Sequence, residues 1–327
     1  MVASLVMALV FSVGTAQAKK TQFVAIATGG TGGVYYPLGG ALAQIISNKL
    51  PDVAATAQSG NASVANCNLT ARGNVETAFV QNNVADSAYN GRGPWEGRAL
   101  KNLRAIASLY PETIQIVARE EADIETVDDA KGKRVAVGDK GSGTEFDARN
   151  ILEYHNLTYD DISPDYVDYS VAAQRLKDDQ DDMLFKTAGL PTAAIIDLSM
   201  SKDVNFVSLS DKAVSQLVED YPFYVPMTIP AGTYDDQDEP VQTIAMMAIW
   251  ITHDQVDEEL VYNMTKVLWE KTPLLYREKK DEESGAEILA KVHQQGKNVS
   301  LDTALKGITI PLHPGAEKYY KEIGMIE

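Results

Sequence analysis

The chain has 327 residues, 45% hydrophobic and 23% charged, the make-up of a water-soluble globular protein with a sizeable core and two or three domains. A formal net charge of −17 and a pI near 4.7 argue against nucleic acid or anionic lipid as the main partner. A single cysteine, Cys67, leaves no internal disulfide.

Residues 1–18, MVASLVMALVFSVGTAQA, form an apolar run closed by Ala16-Gln17-Ala18. They read as a secretory signal cut before Lys19, although no Lys or Arg precedes the run. No other run reaches the ~18 apolar residues that span a bilayer. The expectation is an exported, soluble, periplasmic protein.

Residues 23–27 predict a strand covered on both faces. A glycine loop with Gly29, Gly30, Gly32 and Gly33 follows, then a long amphipathic helix to about Leu50. Such a loop lets backbone approach a ligand closely, and the free N–H groups of the helix start favour an anion. Residues 53–58 predict a second strand, with a turn into a helix at 62–71. Residues 75–80 predict a third strand, with a helix to about Tyr89. Three strand–loop–helix units indicate a parallel α/β sheet and would bring Thr31, Ser63 and Gln81 together at its carboxyl edge.

Two further strands are expected at 103–109 and 113–118, split by Tyr110-Pro111. A second α/β series follows, with strands at 134–137, 166–169, 183–187 and 206–209. Helices are expected at 144–155, to about Lys177, from Pro191 through Met200, and at 211–220. Residues 241–251, VQTIAMMAIWI, predict a strand long enough to run from one lobe into the other, and the rest is mostly helical. Lobe one would comprise 19–109 plus 251–327 and lobe two 110–245, with 246–250 part of a hinge strand.

Little in the chain argues for catalysis. Gly30-Thr31-Gly32-Gly33-Val34-Tyr35 puts tyrosine where a dinucleotide fingerprint needs its third glycine, and no P-loop lysine follows either glycine loop. The four histidines have no metal-ligand spacing, and the acidic runs 178–182 and 235–239 lack the marks of a calcium loop and read as solvated. No cofactor and no metal are expected. Gly141-Ser142-Gly143-Thr144 opens a helix after a strand and offers hydroxyls and N–H groups to a carboxylate or phosphate, or a plain N-cap. Lys186 lies in an otherwise apolar strand, where its charge must reach solvent or meet an anion. Tyr35 and Tyr36 could wall a cleft or simply pack.

Several segments together resemble the TAXI solute-binding proteins (TRAP-associated extracytoplasmic immunogenic proteins) of TRAP transporters. They are ATGGTGGVYYP at 27–37, residues 60–66, AFVQNNVA at 78–85, residues 138–144, KTAGLPTAA at 186–194 and IPLHPGAEKYY at 310–320. The resemblance implies an α/β, two-lobed type II periplasmic-binding-protein fold, each lobe a mostly parallel sheet flanked by helices, with the ligand cleft at the hinge. It implies a monomer, not an enzyme, that captures a small anionic solute and delivers it to the integral membrane subunits of an ion-gradient-driven transporter. Glutamate, 2-oxoglutarate or a related dicarboxylate is the expected solute. Carried onto this chain, the site would comprise Thr31, Tyr35, Tyr36, Ser63, Asn66 and Gln81 from lobe one. Ser142, Gly143, Thr144 and Lys186 would face it from lobe two. The chain departs from the family at Gly60-Asn61-Ala62-Ser63, which lacks paired glycines, and at Gln81-Asn82-Asn83, which lacks an acidic residue. Lys186 stands at a frequently uncharged position and would suit a second carboxylate. The alternative is an exported hydrolase or transferase on the same scaffold, which would need a nucleophile, base or metal in the cleft. A surface interaction protein using the acidic face is a third reading.

Overall fold

A computed structural model describes residues 21–273, 275 and 283–327, so the signal segment lies outside the described residues. One mixed sheet runs through the whole molecule, and its two ends are each built as a parallel trio. In the first half β1 (Gln22–Ala27) lies between β2 (Val53–Gln58) and β3 (Thr77–Gln81), parallel to both. Helices α1 (Tyr35–Lys49), α2 (Ser63–Ala71) and α3 (Asn82–Asn90) follow those strands in turn. Phe23 is 75% exposed at the outer start of β1, so only the inner end of that strand is covered on both faces.

Strand β4 (Leu103–Arg119) crosses to the second half without a break. At 17 residues it is about 58 Å long, ~3.4 Å per residue. Two strands divided at Pro111 were expected. Proline is tolerated because its partner there is Met247 on one edge, while the neighbour on the other edge begins only opposite Thr113.

The second half holds β5 (Arg134–Ala136), α4 (Gly143–Tyr154), β6 (Ser163–Asp165), α5 (Tyr169–Lys177), β7 (Met183–Ala188), α6 (Ala193–Ser199), β8 (Val204–Phe206), α7 (Asp211–Asp220) and β9 (Val225–Ile229). Strand β5 lies between β7 and β6, parallel to both. Strand β10 (Val241–His253) then returns antiparallel to β4, pairing with β9 at its start and with β3 at its end. The sheet order is β2-β1-β3-β10-β4-β7-β5-β6, with β8 on β4 and β9 on β10. Helices α8 (Glu258–Trp269), α9 (Gly285–Val292) and α10 (Pro314–Glu322) close the first half.

Each half has its own apolar packing. Leu42, Phe79, Trp250, Leu268 and Tyr320 are buried together in the first, and Ile116, Val135, Ile151, Leu217 and Tyr224 in the second. Burial of such side chains contributes about 1.5–3 kcal/mol each.

Several local expectations are corrected. Residues 166–169 are not a strand: β6 comes earlier, and Asp168 caps α5 by accepting from the Ser170 and Val171 N–H groups. Pro191 precedes α6 and does not form its first turn, β8 ends where a strand was expected to begin, and β9 had no counterpart. The acidic run 178–182 is not simply solvated. Asp182 accepts from Arg119 and Arg134, each at 2.6 Å, and the buried Asp181 accepts from Arg175 at 2.8 Å. Cys67 is fully buried, and burial raises its thiol pKa, as for a packed small hydrophobe. Among the described residues no helix is long and apolar enough to cross a membrane.

Candidate functional site

Where the strand ends of the two halves face each other lies a small cavity. The first half supplies Gly30, Tyr35 at the start of α1, the turn Gly60–Ser63 that opens α2, and Gln81 at the end of β3. The second supplies Asp139 after β5, Ser142, Gly143 and Thr144 opening α4, Asp168 and Tyr169 opening α5, and Lys186, Thr187 and Ala188 ending β7. Glu112 completes the wall from the middle of β4.

Lys186 is 2% exposed, and its Nζ lies over the Tyr169 ring. It makes no hydrogen bond or ion pair with a described residue. Burial pulls its pKa well below the ordinary lysine value, against the fields of Glu112, Asp168 and Asp139. Glu112 Oε2 accepts from the Tyr35 hydroxyl at 2.7 Å. Burial pushes this carboxyl up to about 8, while the Tyr35 bond and Lys186 hold it down. Asp139 is raised too, chiefly by burial. One lysine therefore faces three carboxyls, with the opening turns of α4 and α5 as further positive ends.

A second polar centre adjoins the cavity. Asp147, on α4, is 1% exposed. Its Oδ2 accepts from Gln81 Nε2 at 3.0 Å and Thr187 Oγ1 at 2.7 Å. Its Oδ1 accepts from Asn83 Nδ2 at 2.6 Å and the Tyr224 hydroxyl at 3.2 Å. Burial pushes its pKa up to about 7 despite those four donors.

Two glycines allow the halves to meet this closely. A Cβ on Gly33 would stand 2.8 Å from the Tyr169 hydroxyl, and one on Gly143 would stand 1.8 Å from Gln81 Oε1. The sequence reading assigned the glycine loop's close approach to a ligand. At Gly33 the close approach is to the opposite half.

Of the residues expected to face a ligand, Tyr35, Ser63, Gln81, Ser142, Gly143, Thr144 and Lys186 line the cavity. Three do not. Thr31 is exposed in the glycine loop, and Tyr36 is 38% exposed and off the cavity. Asn66 is buried and donates to the Thr28 and Phe79 carbonyls at 3.0 and 2.8 Å, bracing α2 against the sheet. Ser142 is also an N-cap, its Oγ accepting from Glu145 N–H at 3.0 Å. Thr144 Oγ1 accepts from Thr187 N–H at 3.3 Å.

Sequence reasoning missed Glu112, Asp139, Asp168, Tyr169 and Thr187. Glu112 carried the same signal as Lys186, a lone charge in an apolar strand, but dividing β4 at Pro111 put it in a loop. Asp168 and Tyr169 were hidden by the misplaced strand. Among the described residues no group of three or more His, Cys, Asp and Glu side chains is placed to hold a metal ion.

Among solved structures, the chain is similar to a binding protein component of an ABC phosphonate transporter from Pseudomonas aeruginosa. Identity is 11% and the TM-score 0.50, over 86% of this chain and 80% of that one. It is also similar to the alkanesulfonate-binding protein SsuA from Xanthomonas axonopodis pv. citri, at 14% identity and TM-score 0.45 over 86% of each chain. For the periplasmic aliphatic sulphonate binding protein SsuA from Escherichia coli, identity is 15% and the TM-score 0.43, over 83% of this chain and 74% of that one. At such identities the likeness concerns fold: the chain has the α/β architecture of periplasmic binding proteins. The sequence profile of the NMT1-like family matches residues 26–324, and the chain belongs to that family.

Proposed function

We propose that this chain is an exported solute receptor whose two lobes close on a small acidic amino acid, glutamate being the nearest fit. In keeping with the TAXI resemblance, it would hand that solute to the membrane subunits of a TRAP transporter in the periplasm. The observation that carries the reading is Lys186, a buried amino group with no hydrogen bond or ion pair to a described residue, set in a cavity between two sheet halves. A buried charge that the protein does not pair is costly unless a ligand pairs it.

The surrounding carboxyls narrow the solute. A plain dicarboxylate would bring two negative charges to a wall with one lysine and three acids. Glutamate brings a net charge of about −1 near pH 7, and its ammonium can meet Glu112 or Asp139 while a carboxylate meets Lys186. The opening N–H groups of α4 would take the other carboxylate. Among the solutes expected from sequence, the amino acid fits better than 2-oxoglutarate. The cavity is walled by residues of both halves, so uptake requires the halves to part. On this reading lobe one is 19–109 plus 251–327, lobe two is 110–245, and residues 246–250 within β10 bend with β4.

Thermal-shift and calorimetric titration of residues 19–327 would test this. L-glutamate should give a saturable stabilisation larger than those of 2-oxoglutarate and succinate. No response to any of the three would overturn the receptor reading, and a preference for 2-oxoglutarate would overturn the amine argument.

A further inference from the structure

Asp147 is connected to both halves of the cleft. Gln81 and Asn83 lie at the end of β3 and the start of α3 in the first half, while Thr187 and Tyr224 belong to the second. All four donate to this one carboxylate. Asn83 also donates to the Tyr224 hydroxyl at 3.1 Å, so the donors are tied to one another as well. A carboxylate buried to 1% with its acceptor sites filled from two directions is stable only while both sources stay in place. The packing beside it has the same character, because Gln81 rests on the bare Cα of Gly143. One turn further, the Ala65 N–H in the first turn of α2 donates to the Gly141 carbonyl of the second half at 3.1 Å.

We propose that Asp147 is the clasp residue of the cleft. Its carboxylate binds Gln81 and Asn83 across the gap, holds the halves shut, and sets Gln81 and Thr187 in the cavity wall. When the halves part, Asp147 keeps Thr187 and Tyr224 and exchanges its two first-half donors for water. It is a positioning residue: Gln81 and Thr187 line the cavity and Asp147 does not. The clasp serves a solute only if the receptor reading holds, whereas its effect on closure can be measured with no solute present.

The reporter of closure is the Ala65 amide. It is an N-terminal helix amide with no partner inside its own helix, so its protection depends on Gly141. Hydrogen exchange followed by NMR at pH 8 on residues 19–327 should show Ala65 exchange rising on the order of 10-fold or more in Asp147→Leu. That variant keeps the branched shape and loses the acceptors, although its methyl groups are bulkier than the oxygens. Asn83→Ala, which breaks the clasp from the other half without touching the cavity wall, should raise it similarly. Asp147→Asn should stay near the wild type, because Gln81 Oε1 is buried without a partner and can accept from the new amide once the Gln81 side chain turns over. Because overpacking by leucine could also part the halves, Asn83→Ala, which removes donors and adds no volume, separates loss of the hydrogen bonds from a packing effect. In the same variants the dissociation rate of L-glutamate should rise in step with Ala65 exchange.

If folded Asp147→Leu and Asn83→Ala leave Ala65 exchange at the wild-type rate, the clasp is overturned. Asn83→Ala alone decides should Asp147→Leu fail to fold. If exchange responds as expected but wild-type protein binds no glutamate, the clasp stands and the proposed solute falls.

Discussion

Lys186 and Asp147 are both charged side chains buried in the second half of the same molecule, beside the same cleft, yet their surroundings are opposite. Asp147 is met by four donors drawn from two halves of the sheet. Lys186 has an aromatic face, three carboxyls in its field and no bond to any of them. Burial penalises both, but only Asp147 is met by hydrogen bonds from the protein itself. The difference separates two uses of a buried charge: one satisfied internally fixes a conformation, and one left unsatisfied waits for something from outside.

The contrast can be broken most severely at Lys186. Lys186→Met should weaken L-glutamate by about 100-fold in calorimetry, the scale of a lost charge-assisted bond in a desolvated site. It should not lower the melting temperature, because the ammonium contributes no internal bond. A large loss of stability together with unchanged affinity would move Lys186 to the structural side of the comparison.

A smaller effect is expected at Glu112. Glu112→Gln keeps an acceptor for Tyr35 and removes the carboxyl that would ionise to meet an ammonium. L-glutamate should weaken by ~10-fold while 2-oxoglutarate tightens, so the ratio of the two dissociation constants is the quantity to follow. A parallel loss for both solutes would count against an amine contact there.

The pH dependence is expected to be smaller still. Glu112 is pushed up to about 8 and Asp147 to about 7, both by burial. A carboxyl raised on folding binds its proton more tightly in the folded state. Its contribution to stability is thus full below the ordinary carboxyl range near 4, falls progressively as pH rises from there, and is gone above 7 to 8. Melting temperatures should decline across that window, and Glu112→Gln should flatten the upper part of the decline. The least effect belongs to Thr31→Ala and Tyr36→Ala. Both positions lie off the cavity, and either substitution should change glutamate affinity by less than ~2-fold, the scale of surface changes.

Much of the fold could be read from the chain, and the legible parts share a cause. The helix at 211–220 is bounded by a serine cap and repeats apolar residues at Ala213, Val214 and Leu217, and α7 matches it to the residue. The three units up to Asn90 were legible for the same reason, since each alternates an apolar run with a turn and a periodic helix. Strands of three residues such as β6 and β8 carry too little pattern to place. Continuity of β4 through Pro111 depends on which edges are paired, and that is not a local property.

In the candidate site the same division holds. The sequence by itself determined which loops follow strand ends, that Lys186 is an isolated charge in an apolar run, and that Ser142 opens a helix. Hydrophobic periodicity and capping chemistry act over a few residues, so they are written in the order of the chain. Only the tertiary structure decided that Glu112, 74 positions before Lys186, shares its cavity, and that Asp147 gathers donors from positions as far apart as 81 and 224. It also decided that the room at Gly33 is taken up by Tyr169 of the opposite half. Those relations are created when two long strands carry the chain across the molecule and back, because the strength of a buried charge depends on what the far half brings to it.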